Sequence, residues 1–170
     1  MQTDIFCLKN LCRCVLCESL VLSYFNYCSF VYGHFLNVLE NRKIQRVQNS
    51  CFRFVCSLRK YDHVSNAISE LNWLNMNNRR KLHFAVFVHK IMVSESPSFL
   101  KNRLIPRNAT HDRNTRYNSM LSIPKHTTAI FRRCFSYQAA HTYNTLSNDL
   151  KILSPVNFNR RYKLQLLAGQ

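Results

Sequence analysis

The sequence predicts a mainly α fold, and three observations carry that reading. Glycine is nearly missing, with 2 in 170 residues, where average usage gives roughly 12. Two-residue hairpins lean on glycine for their positive-φ positions, so an all-β chain is disfavoured. Apolar residues recur at steps of three and four through most of the chain, the period of a helix with one buried face. Hydrophobic residues make up 46%, enough to close a core. At most one short β-hairpin is expected.

Val15 to Leu36 is the most hydrophobic stretch and reads as a buried core helix. It is long enough to span a bilayer, but Glu18, Asn26, His34 and several Ser and Tyr interrupt it. An acid at a membrane centre costs about 2.5–3.5 kcal/mol, which offsets several leucines. A membrane-anchored protein with its span near residues 15–36 stays as an alternative.

From Asn37 the spacing predicts an amphipathic helix with Ile44, Val47, Cys51, Phe54 or Val55, and Leu58 as its apolar stripe. Arg42, Arg46, Asn49 and Arg53 recur at the same steps on another face. Guanidiniums one turn apart suit successive phosphates of a nucleic-acid backbone, though a solvated basic face has the same pattern. Residues 59–63 read as a polar turn. Ser65 caps a short helix through Leu71, and Trp73–Leu74 reads as a buried hinge.

Asn75 then caps a longer helix with a basic first half and an apolar second. Arg79, Arg80 and Lys81 near its start oppose the helix dipole, a small cost that a bound phosphate would relieve. Ser96-Pro97 reads as a cap with Pro at the first helical position, opening a short helix through about Leu104. Residues 106–117 are polar, basic and aperiodic, and read as a loop. Ser119–Pro124 alternates weakly as a short strand to pair with Ile130–Arg133. Phe135–Leu146 returns to helical period. Ser154-Pro155 opens a terminal helix with Phe158, Tyr162 and Leu166 on one face.

The chain carries 24 Lys and Arg against 8 Asp and Glu, a formal charge of +16. That favours a polyanionic partner. The acids are dispersed, and two-metal phosphoryl transfer needs carboxylates clustered about each ion. Paired-carboxylate hydrolysis is equally unsupported, and no nucleophile elbow appears. Gly33 and Gly169 stand alone, which excludes glycine-rich phosphate loops. Cys12, Cys14 and Cys17 could begin a zinc site, but no second pair follows at finger spacing. The eight cysteines read instead as small hydrophobes in a reducing compartment.

Seven blocks then carry a resemblance. LVLSYFNYCSFVYG (Leu20–Gly33) is followed by IQRVQNSCFRFVCSLRKYDHVS (Ile44–Ser65) and LNWLNMNNRRKLHFAVFVHKIM (Leu71–Met92). Next come Pro97-Ser98-x-Leu100, IPKHTT (Ile123–Thr128), FSYQAAHTYNTL (Phe135–Leu146) and PVNFNRRYKLQLL (Pro155–Leu167). In this order, over roughly residues 18–167, they resemble the region downstream of the polymerase palm in reverse transcriptases of non-LTR retrotransposons, of the LINE, jockey-like type. Family members often have Leu-Pro where this chain has Leu74-Asn75, and Trp-Asn where it has Tyr143-Asn144.

The resemblance implies a helical thumb-like bundle followed by a helical C-terminal extension. Residues 1–60 would be the thumb-like part, 61–104 a helical extension, 105–126 a linker with a possible short strand, and 127–170 the C-terminal helical part. The family's Tyr-x-Asp-Asp palm motif does not occur here, and neither does its endonuclease. The expectation is a truncated, non-catalytic fragment of an RNA-directed DNA polymerase. It would need no metal or cofactor and take no small-molecule substrate. RNA or DNA duplex would bind through phosphates to Arg42, Arg46, Arg53, Arg79, Arg80 and Lys81. An intracellular place, nuclear or cytoplasmic, is expected over secretion, and a membrane is disfavoured as partner.

Overall fold

Asn37 and Asn75 each open a long helix, and these two helices organise the chain. In a computed structural model, residues 10–65, 68, 71–109 and 120–170 are described. Helix α1 covers residues 10–26, and α2 is Ser29–Tyr32. Helix α3 is Val38–Val55 and α4 is Met76–Ser94. After the short α5 (Ser98–Lys101) come α6 (Phe135–Thr145), α7 (Asn148–Lys151) and α8 (Pro155–Ala168). Among the described residues the only β-pairing is one antiparallel bridge, Pro106 with Leu121. The fold is mainly α, as expected.

The predicted single helix over 15–36 is broken. Within α1 the segment Cys17–Leu22 is a π-helix. Ser19 and Ser23 Oγ donate to the carbonyls of Val15 and Ser19 one turn back, at 2.7 and 2.5 Å. Such back-bonding competes with the regular ladder and widens or bends a helix. Cys28 then adopts a left-handed backbone, φ 50°, and turns the chain into α2. Leu22 and Ser29 are buried, but Leu20, Tyr24 and Tyr27 are exposed, so the stretch is not a core helix throughout. Among the described residues no helix is long and apolar enough to cross a membrane.

Helix α3 begins with a full capping box. Asn37 Oδ1 accepts from the Glu40 amide at 2.8 Å, and Glu40 Oε2 accepts from the Asn37 amide at 2.7 Å. Two otherwise unsatisfied amides are thereby paired. The buried face is rotated from the predicted stripe. Gln48, Cys51, Phe52 and Val55 are buried, while Val47 and Phe54 are exposed. Gln48 Nε2 donates to the Leu74 carbonyl at 2.8 Å, and Gln45 Oε1 accepts from the Met76 amide at 3.0 Å. These bonds satisfy the backbone at the start of α4 and set the rotation of α3, outweighing one valine's burial.

Helix α4 is the axis. Its buried residues Met76, Leu82, Phe84, Ala85, Val88, His89 and Ile91 do not fall on one stripe, because other elements cover it on several sides. Antiparallel to it runs α8: Phe158 stacks on His89 at 4.2 Å, and Asn78 Nδ2 donates to the Leu166 carbonyl at 3.3 Å. At the chain end Gln170 Oε1 accepts from the Asn75 amide at 2.7 Å. Phe30 of α2 stacks on Phe87 at 4.5 Å. Two apolar clusters result. One joins α1, α3 and Trp73 at the start of α4; the other joins the rest of α4 to α6, α7 and α8.

Two local expectations are corrected. Pro97 itself occupies the cap position of α5, so the helix starts at Ser98, one residue later than predicted. Among the described residues the predicted pairing of Ser119–Pro124 with Ile130–Arg133 does not form, and Phe131–Arg133 is a 3-10 turn. Leu121 bonds instead to the Asn144 side chain of α6, which accepts from its amide at 2.8 Å and donates to its carbonyl at 2.9 Å. One carboxamide thus satisfies both backbone groups that a strand partner would have taken. Of the predicted loop at 106–117, only Pro106 to Ala109 lie in the described residues, and Arg107–Ala109 form a 3-10 turn.

Candidate nucleic-acid interface

The six cations expected to contact phosphate separate into two groups. Arg42 and Arg46 are exposed one turn apart on α3, and Lys81 is exposed on α4. The other three have partners or are buried. Arg53 Nη2 donates to the Asp62 carbonyl at 3.4 Å. Arg79 pairs with Glu18 at 3.3 Å, tying α4 to α1. Arg80 is only 8% exposed, and its Nη2 donates to Asn41 Oδ1.

The six cations are therefore not equally exposed. Arg79 and Arg80 are spent on holding α1 and α3 against α4. A guanidinium offers five donors in a planar fork, which suits it to such ties. The Asn41–Arg80 bond also fixes where the exposed cations lie. Arg42 and Lys81, both exposed, each directly follow a residue of that bridge in the sequence. Other cations are exposed that the sequence reading did not single out: Arg132 and Arg133 in the 3-10 turn, and Arg160, Arg161 and Lys163 on α8. Their signal was present in the charge count but was not tied to a helical row.

The aromatics flanking Arg53 also differ from expectation. Phe52 is fully buried, its ring 5.2 Å from that of Trp73. Phe54, predicted to be core, is 52% exposed. Its ring lies beneath the Arg13 guanidinium at 5.3 Å, a cation–π contact. That contact, and not the core, is what holds Phe54.

Among the described residues the cysteines are free thiols. Cys12 is exposed, Cys14 half-buried and Cys17 buried; Cys14 and Cys17, three apart, neighbour each other on the helix, while Cys12, two before Cys14, does not face it. Burial, with Cys51 alongside, pushes the Cys17 thiol up to about 11, away from the thiolate that zinc requires. Among the described residues no group of three or more His, Cys, Asp or Glu is placed to hold a metal ion. Set against models of protein families, characterised proteins and solved structures, the chain matches none of them.

Proposed function

We propose that the chain corresponds to the post-palm, duplex-holding part of a non-LTR retrotransposon RNA-directed DNA polymerase, with no catalytic centre of its own. It would act in the nucleus or cytoplasm. Seven blocks in family order support the origin. The observation that carries the binding role is the pair Arg42 and Arg46, exposed one turn apart on α3 in a chain of net charge +16. Contacts of this kind read phosphates and not bases, so affinity is independent of sequence and steeply dependent on salt.

Filter binding of a short RNA–DNA duplex from about 50 to about 200 mM salt tests this. Each phosphate contact contributes about 0.9 to the slope of log affinity against log salt, on the B-DNA scale. Replacing Arg42 and Arg46 together by alanine is expected to flatten the slope by about 1.8, while Arg79→Ala leaves it nearly unchanged. A slope indifferent to the α3 pair would refute the assignment.

A further inference from the structure

A cavity of about 380 Å³ opens where α4, α6 and α8 meet the turn after α2. Binding sites for small molecules run from about 300 to about 1,000 Å³, so this one suits a compact ligand. Arg80 and Lys81 line it from α4, His34 from the turn, Gln138 and His141 from α6, and Tyr162 from α8. Among the described residues no aspartate or glutamate lines it. The lining is cationic on the α4 side and otherwise built of amide, hydroxyl and aromatic groups.

Arg80 is what gives the cavity its chemistry. One guanidinium nitrogen donates to Asn41, and Nη1 is buried with no hydrogen-bond partner. Among the described residues no carboxylate pairs with it. A buried cation short of a counter-charge is costly, and a bound anion removes that cost. Burial lowers the Arg80 pKa. His34, edge-on to Phe84 at 4.5 Å, is also lowered, by burial first and then by the Arg80 charge. Gly33 allows this packing, because a Cβ there would lie 3.0 Å from Arg80 Cδ.

We propose that this cavity binds a phosphomonoester of mononucleotide size, its phosphate on Arg80 and Lys81 and its ring among His34, His141 and Tyr162. The phosphate can belong to a free small molecule or to the end of a nucleic-acid strand. The site is separate from the α3 pair and holds whether or not that pair binds duplex.

Titration calorimetry on the full chain tests it with four probes: AMP, adenosine, and trithymidylate with and without a 5′-phosphate. AMP is expected to bind at least about tenfold tighter than adenosine, the effect of one or two charge-assisted hydrogen bonds. Lys81→Gln, at an exposed position, should weaken AMP about five- to tenfold without moving the thermal midpoint. Arg80→Lys should weaken it further. Should that variant not fold, Lys81→Gln decides. Tighter binding of the phosphorylated trinucleotide than of AMP assigns the site to strand ends, and the reverse assigns it to a free phosphomonoester. Equal affinity for AMP and adenosine overturns the proposal. So does an AMP affinity that falls as much in Arg42→Ala/Arg46→Ala as in Lys81→Gln, since net charge alone would then account for it.

Discussion

Gln48 shows at residue scale what the helical period could not. The sequence reading favoured Val47 for the buried face of α3 because valine is apolar. The molecule buries Gln48 completely, since its amide meets the Leu74 carbonyl and a buried carbonyl left without a donor costs about 1–3 kcal/mol. His34 and His83 show the same interplay in their titration. Both are held below the ordinary imidazole value of 6.5, by burial first and then by Arg80 and Arg79 respectively. In the unfolded chain they protonate near 6.5, whereas in the folded chain protonation waits for a lower pH. Between the two values the unfolded state binds more protons, so stability present above 6.5 is lost as pH falls toward the lower one. The urea midpoint is expected to drop between about pH 7.5 and about pH 5.5, and to drop less in His34→Asn/His83→Gln. Self-repulsion of the +16 charge acts in the same direction, so an undiminished drop in the double variant would assign the effect to net charge instead.

Helix α8 owes its place to one aromatic at element scale. Phe158 is fully buried, stacked on His89 of α4 and 5.6 Å from Tyr162. His89 Nε2 in turn donates to the Leu153 carbonyl at 2.8 Å, which fixes the ring that Phe158 covers. Phe158→Ala is expected to destabilise the chain by about 3–5 kcal/mol, read as a shift in the urea midpoint. Helix existence was legible at this scale. Asn75 caps α4 where the sequence put it, α3 starts at Asn37 as the helical period does, and Phe158, Tyr162 and Leu166 mark the inner face of α8. The break in α1 was less so, because scattered polar residues in a mostly apolar stretch do not mark where a helix ends. Only the serine back-bonds and the left-handed Cys28 divide it. The strand after residue 119 was misread for a related reason. Weak alternation resembles a ladder, yet Leu121 bridges only Pro106, and its own amide and carbonyl go to the Asn144 side chain on α6.

The molecule is basic and mainly helical, and among the described residues no group of three or more acids, His or Cys is placed to hold a metal ion. The proposal of a polymerase part without its palm predicts no nucleotide incorporation in a primer-extension assay with the full chain and magnesium or manganese. Incorporation above a metal-free control would show that the chain holds a catalytic centre after all. The mainly α class, the positions of the long helices and the net charge were fixed by composition and period alone, because these depend on local propensity and on counting. Which cations face solvent was not. Arg42, Arg79 and Arg80 look alike in a helical row, but one is exposed, one meets Glu18 and one is enclosed beside Asn41. The cavity under α4 is likewise built from four elements that sequence order keeps far apart. Burial and pairing are properties of contacts between distant segments, so only the tertiary structure decided them.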